Sequence, residues 1–212
     1  MRATTRMRPL WPAIPMGTGM HIGYKCCQAL PGPMGVPEEH KREAPRSVRF
    51  AVVVVSTSRY EALRAGREPP KDITGDLIER LLAQAGHEVI MRRVVPDDVD
   101  AIRRALQEAL EAGAQAVIFA GGTGVSPDDV TIEAIRPLLD KDLPGFGELF
   151  RLLSYQRVGS AAMLTRALAG VCKGAAVFCI PGSPDAAELA VKELIGPEVG
   201  HVVKHARERK RS

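Results

Sequence analysis

AVIFA, residues 116–120, runs directly into GGTGVSPDDVT, residues 121–131, and the join between the two decides the fold. An unbroken apolar run of this length, bounded by glycine, reads as a strand buried on both faces. The turn after it places three glycines among Gly121, Gly122, Thr123 and Gly124. Glycine removes the Cβ atoms that would hold a phosphate away from the backbone and allows the positive φ angles that turn successive N–H groups inward. A helical pattern follows, and its N-terminal partial positive charge adds to the same spot. Strand, glycine turn and helix in that order form half of a βαβ unit suited to an anion. Asp128 and Asp129 stand where a phosphate would sit and require a counter-cation if one does.

The same alternation runs along the chain on either side. Phe50–Val55 is a continuous apolar run, and Ile73, Leu77, Ile78, Leu81, Leu82 and Ala85 then fall at helical spacing before Gly86. His87–Val95 reads as a second strand, Val99, Ile102, Leu106, Ala109 and Leu110 as a helix stopped by Gly113, and Gln115–Ala120 as a third strand. Gly147–Tyr155 and Ala161–Leu168 read as helical, Ala175–Ile180 as a buried strand and Pro184–Leu194 as a closing helix. Strands alternating with helices imply right-handed crossovers. The expected fold class is α/β: a doubly wound, mostly parallel sheet with helices on both faces, in a single domain over residues 47–205.

The ends differ from this core. Residues 1–46 hold seven of the sixteen prolines and show no periodicity, which reads as a disordered extension with Met34 as a candidate true start. Pro9, Pro12 and Pro15 interrupt its one weakly apolar stretch, which argues against a signal peptide. Residues 206–212 form a basic tail. The formal net charge is +4, yet residues 47–203 carry seventeen Lys and Arg against twenty-one Asp and Glu, so the positive charge lies at the ends. With only 4% aromatics and none interleaved with the basic residues, a nucleic-acid partner is not expected. No apolar run is long enough to span a bilayer. Cys26, Cys27, Cys172 and Cys179 form no CxxC pair and read as reduced thiols of a cytoplasmic protein. His201 and His205 can share a helix face, but without an HExxH glutamate they read as a solvated helix end.

In a doubly wound sheet, ligands gather beyond the carboxyl ends of the strands. Those ends are Ser56, Thr57 and Ser58; Pro96, Asp97 and Asp98; Gly121–Asp129; and Pro181, Gly182 and Ser183. All are small, polar or acidic, and together they would form a polar pocket in which carboxylates hold Mg²⁺ against phosphates. Each piece also has a plain capping role. Ser126 fits an N-cap with Pro127 in the first helical position, Ser183-Pro184 repeats that pattern, and Asp97 or Asp98 could cap the helix near Val99. Capping does not require GGTG. No GK[ST] follows the glycines and GxGxxG spacing is absent, so a metal ion is the expected source of positive charge.

These motifs, in order, resemble the MogA/MoaB family of molybdenum-cofactor biosynthesis proteins. The resemblance rests on the strand ending in Ser56, on Asp72-Ile73-Thr74-Gly75-Asp76, Val95-Pro96-Asp97 and GGTG with Asp129-Val130-Thr131, and on PGFGELFR at residues 144–151, Leu164-Thr165-Arg166 and Pro181-Gly182-Ser183-Pro184. The segment from Gly145 to Val171 is nearer to the MoaB branch. The resemblance implies a molybdopterin adenylyltransferase with ATP and molybdopterin as substrates and Mg²⁺ as cofactor. It implies a homo-oligomer, trimer or hexamer, working with other proteins of the molybdenum-cofactor pathway. It assigns catalytic roles to Asp72, Asp97 and Asp129, with Asp97 and Asp129 as metal ligands. It assigns substrate binding to Ser56, Gly121, Gly122, Thr123, Gly124, Ser126, Thr165, Arg166, Gly182 and Ser183. Thr57 stands where many members have Asp, and Thr165 where many have Ser. A non-catalytic pterin-binding oligomer of the same family, and a related domain acting on another nucleotide or pterin, are the alternatives. Phe146 and Leu149, beside the site, read equally as buried core or as subunit interface, with the interface preferred.

Overall fold

The computed structural model describes residues 44–208. The expected extension at 1–46, with Cys26, Cys27 and Met34, lies outside the described residues apart from 44–46, as does most of the expected tail. The described elements are β1 (Arg49–Val55), α1 (Thr57–Arg64), α2 (Ile73–Gln84), β2 (Glu88–Val95), α3 (Val99–Glu111), β3 (Ala116–Ala120), α4 (Thr131–Ile135), β4 (Lys141–Asp142), α5 (Pro144–Val158), β5 (Leu168–Cys172), β6 (Ala175–Ile180), α6 (Pro184–Leu189) and α7 (Gly196–Arg207). Two 3₁₀ turns, Arg136–Leu138 and Gly159–Leu164, and a π-helical segment, Ala190–Ile195, join neighbouring helices and strands.

The six strands lie in the order β2-β1-β3-β6-β5-β4. β2, β1, β3 and β6 are parallel, while β5 runs antiparallel to β6 and to β4. The chain passes from β1 to β2 on one side and then crosses back over β1 to β3 on the other, so the order reverses beside β1, the place where such sheets bind ligands. Register sharpens this: Val55 pairs with Val95, Val54 with Ala120, and Ala120 with Ile180. The four parallel strands therefore end in one row, and whatever follows them shares one rim.

Both faces of the sheet are covered, which is why the central strands are apolar at every position instead of alternating. Phe50, Val52 and Val54 face Ile78 and Leu82 of α2, Phe150 of α5, and Val199 and Val203 of α7. Ala51, Val53 and Phe119 face Ile102, Leu106 and Ala109 of α3 and Ile132 and Ile135 of α4. Phe50 and Phe119 are wholly buried on opposite faces, and side chains of this kind contribute about 1.5–3 kcal/mol each on burial. Gly86 and Gly113 end α2 and α3 with φ of 84° and 83°, the left-handed stop their positions suggested. Asp98 caps α3 by accepting from the Ala101 N–H at 2.8 Å, and Ser183 caps α6 by accepting from the Ala186 N–H at 3.3 Å.

Two sequence expectations are corrected, and the choice between core and interface at Phe146 and Leu149 is decided. No helix opens at Ser126: α4 begins at Thr131, and Ser126–Asp129 form a turn closed by the Asp129 N–H to the Ser126 carbonyl at 3.0 Å. The cap is reversed, with the Asp129 carboxylate accepting from the Ser126 N–H at 3.0 Å, so Asp128 is part of an exposed turn. Ala161–Leu168 is helical only to Leu164, as a 3₁₀ turn, and Leu168 starts β5. Phe146 packs into the core against Phe150 and Phe178, with ring centroids at 6.1 and 5.4 Å, whereas Leu149 is exposed.

Candidate functional site

The rim gathers most of the expected site. A pocket of about 410 Å³ is lined by Gly121–Gly124, Asp129, Leu164–Arg166 and Pro181–Ser183, within the size range of small-molecule sites. Thr165 and Arg166 arrive there because β5 is antiparallel. Leu168 pairs with Cys179, so the residues before β5 meet the residues after β6.

The glycine turn is held from three sides. The Gly121 N–H donates to the Ile180 carbonyl at 3.0 Å, the Thr131 hydroxyl donates to the Gly121 carbonyl at 2.8 Å, and the Thr131 N–H donates to the Gly122 carbonyl at 2.9 Å. Thr131 is wholly buried, so this anchor excludes water. Gly121 takes φ 112° and Gly122 φ 60°, and a Cβ at Gly121 would collide with the Val55 carbonyl oxygen. A Cβ at Gly182 would come within 3.2 Å of Gly121 Cα, so the turns after β3 and β6 pack backbone to backbone. Among the described residues nothing accepts from the N–H groups of Gly122, Thr123 or Gly124. Thr123 lines the pocket although it is only 2% exposed.

Two carboxylates flank these N–H groups. Asp97, next to the helix-capping Asp98, is pinned across the rim to Thr57. The Thr57 hydroxyl donates to Asp97 Oδ2 at 2.8 Å, the Thr57 N–H donates to the same oxygen at 3.2 Å, and the Asp97 N–H donates to Thr57 Oγ1 at 3.0 Å. Asp97 Oδ1 lies 2.7 Å from the Cβ position of Gly122, and Asp129 Oδ2 lies 2.7 Å from that of Gly124. The glycines are thus required by the acids as much as by a ligand.

Asp72 is placed differently. It caps α2, with Oδ1 accepting from the Gly75 N–H at 3.0 Å, while Oδ2 is bound by Arg92 Nη2 at 2.5 Å. Arg92 also donates to Asp76 at 2.8 Å and Glu79 at 2.9 Å. Burial lowers the Arg92 pKa, but the hydrogen bonds to Asp72 and Asp76 and the charges of Asp72 and Glu79 outweigh it and hold the guanidinium above its ordinary value. Both Asp72 oxygens are occupied, and Asp72, like Asp97, does not itself line the pocket. Its helix reaches the rim through Thr74, whose hydroxyl donates to the Gly182 carbonyl at 2.8 Å.

The remaining expected residues divide similarly. Ser56 stands at the start of α1, where Arg59 Nη1 donates to its hydroxyl at 3.3 Å. Ser126 lies in the exposed turn closed by Asp129. Arg166 is paired with Glu133 of α4 at 2.5 Å, which holds the guanidinium beside the pocket. Arg59, Arg92, Thr131 and Glu133 were not singled out from the sequence. Thr131 carried a signal in its place within the quoted segment, but the three charged residues act through contacts that no local pattern reveals. Cys172 and Cys179 are free and buried, and burial pushes both thiols above their ordinary range.

An α/β protein with a polar, glycine-lined pocket at its sheet's switch point is the class this geometry defines. The family model described as "Probable molybdopterin binding domain" matches residues 51–201. Molybdenum cofactor biosynthesis protein B of Bacillus subtilis (strain 168) is 45% identical over 175 residues, covering 82% of this chain and 98% of its own. A Pyrococcus furiosus protein named molybdopterin adenylyltransferase is 45% identical over 179 residues, covering 82% of this chain and 100% of its own. The crystal structure of the tungsten cofactor synthesizing protein MoaB from Pyrococcus furiosus superposes with a TM-score of 0.69 at 42% identity, over 78% of this chain and 100% of the other. The chain belongs to the MoaB/MogA family of molybdopterin-binding domains.

Proposed function

We propose that this protein is a molybdopterin adenylyltransferase of molybdenum-cofactor biosynthesis, transferring AMP from ATP to the terminal phosphate of molybdopterin. An oxygen of the pterin phosphate attacks the α-phosphorus of ATP, the bond to the β-phosphate bridging oxygen breaks, and pyrophosphate leaves. The observation carrying this reading is the run of unpaired N–H groups at Gly122, Thr123 and Gly124 between the carboxylates of Asp97 and Asp129. Family membership and the 45% identity to a protein named molybdopterin adenylyltransferase support it.

The chain's own residues do the positioning. N–H groups of the turn bind non-bridging phosphate oxygens, Arg166 adds a cation at the pocket wall, and Gly182 leaves room for the ligand against the turn. Thr165 and Ser183 offer hydroxyls from the far side of the pocket, while Ser56 and Ser126 lie along the rim and its turn. Asp97 and Asp129 each commit Oδ2 to the protein and keep Oδ1 free of protein partners among the described residues. This donor set fits Mg²⁺, which usually takes one or two carboxylates and completes its shell with water and substrate phosphates. No three His, Cys, Asp or Glu side chains among the described residues form a metal-holding group. Bound there, Mg²⁺ would neutralise charge that otherwise keeps two polyphosphates apart. Asp72 acts through position in this reading, holding the start of α2 and, through Thr74, the Gly182 turn.

The protein would work in the cytoplasm as a homo-oligomer, a trimer or hexamer. Leu149, Leu152, Tyr155, Val158, Met163 and Leu164 form an exposed apolar run that supports association, and no helix among the described residues is long and apolar enough to cross a membrane. Light scattering of the purified chain reads the assembly. Incubation with MgATP and molybdopterin, following pyrophosphate, tests the reaction. Stoichiometric pyrophosphate is expected, and pterin binding without pyrophosphate would mark a non-catalytic binder.

A further inference from the structure

At the far end of the domain, α7 brings two imidazoles together. His201 Nε2 and His205 Nε2 lie 2.8 Å apart, and their rings stand 4.5 Å centroid to centroid. Outside this pair, each ring has a carboxylate at its other nitrogen. Glu208 Oε2 is 3.0 Å from His205 Nδ1, and Glu198 Oε2 is 3.6 Å from His201 Nδ1. The pair lines a cleft of about 520 Å³ whose opposite wall is Asp140, Lys141 and Asp142.

We propose that His201 and His205 form a binding site for a divalent first-row transition-metal cation, remote from the phosphate rim. Imidazole nitrogens one helical turn apart project on the same face, which lets both reach a single ion. Nitrogens on adjacent corners of an octahedral or tetragonal ion sit about 2.9 Å apart, and on a tetrahedral one about 3.3 Å. The observed separation matches the first arrangement and needs a small opening for the second.

The outer partners complete the case. A carboxylate accepts only, so the Glu208 contact places the His205 proton on Nδ1 and frees its Nε2 lone pair. The metal-free pair is then closed by the His201 Nε2–H. Moving that proton to His201 Nδ1, towards Glu198, frees the second lone pair without leaving a bare proton behind. Histidine ligands backed by carboxylates in this way are better oriented and more basic. Lys204 Nζ, 3.6 Å from Glu208 Oε1, leaves Oε2 facing the ring. No three metal-binding side chains among the described residues form such a group, so water or an outside ligand in the cleft completes the shell.

Calorimetric titration of the untagged full chain with Ni²⁺, repeated with Zn²⁺, tests the site. One ion per chain is expected, with affinity falling at least tenfold in His201→Gln and again in His205→Gln, and a metal-dependent rise in melting temperature that both variants lose. Glu208→Gln should weaken binding by a smaller factor while leaving both imidazoles in place, which separates ligand orientation from loss of fold. Unchanged affinity in all three variants, or ions retained by the His201→Gln/His205→Gln double variant, would overturn the site and leave the pair as a hydrogen bond. Pyrophosphate release by the same variants should match the unsubstituted chain, so this result stands apart from the adenylyl-transfer reading.

Discussion

Thr57 and Asp97 bind each other in both directions, the hydroxyl donating to Oδ2 at 2.8 Å and accepting from the Asp97 N–H at 3.0 Å. The first residue of α1, just past β1, thereby fixes the carboxylate that follows β2, leaving Oδ1 toward the glycine turn. Thr57→Val removes both bonds and keeps the shape. We expect kcat for pyrophosphate release to fall about tenfold or more, in line with roughly 1.5–3 kcal/mol for a hydrogen bond to a charged group. Thr57→Ser should restore it, and failure of that rescue would mean the threonine acts through packing.

Asp97→Asn and Asp129→Asn replace charge without removing the acceptor oxygen, so the Ser126 turn and the Thr57 contact survive. Steady-state pyrophosphate release should drop about 10²-fold or more, as for other single electrostatic contributors, while pterin binding changes little. Variants keeping more than about a tenth of the original turnover would exclude either acid as a metal ligand.

Gly121→Ala combines a φ of 112° with a Cβ that meets the Val55 carbonyl. Strain at such an angle alone costs about 1–3 kcal/mol. The unfolding free energy from urea titration should fall by at least that amount, and an unshifted midpoint would show that the turn can relax away from β1.

Arg92→Met leaves Asp72, Asp76 and Glu79 facing one another without their shared cation. The Arg92 side chain is 26% exposed, so solvent moderates the loss, and a destabilisation of about 1–3 kcal/mol is expected in urea unfolding. The start of α2 and the Thr74–Gly182 contact should loosen with it, visible as faster amide exchange at Gly75.

Burial holds the Cys179 thiol above its ordinary value. Below that ordinary value both folded and unfolded chains keep the proton and this residue adds no pH dependence. Above it the unfolded chain ionises first, so stability falls as pH rises. Cys179→Ala should flatten the alkaline limb of the stability profile relative to the unsubstituted chain, whatever its cost at neutral pH.

The parallel half of the sheet was legible because strands covered on two faces are apolar at every position, and Phe50–Val55, Ala116–Ala120 and Ala175–Ile180 announce themselves. β4 is two exposed residues, too short for any period to register. β5 contains Gly170, whose missing Cβ admits the Lys141 carbonyl from β4, a tertiary reason that reads locally as weak strand. Ser126-Pro127-Asp128-Asp129 carries a helix-start signature, but the turn is closed by Asp129 instead, and the helix waits for Thr131 to anchor the glycines. That Asp97 and Asp129 lie against the glycine turn was legible from their place after strands. The commitment of Asp72 to Arg92 depends on α2 lying against β2, which motif order does not encode.

The outer strands bear on how copies of this chain can meet. β4 at one edge offers only Lys141 and Asp142, and β2 at the other carries Arg92 and Arg93 in mid-strand. Short or charged margins resist intermolecular strand pairing, the route by which open sheets grow into aggregates. The edges of this sheet thus offer a poor template for a second copy to extend it, and with it for fibre growth.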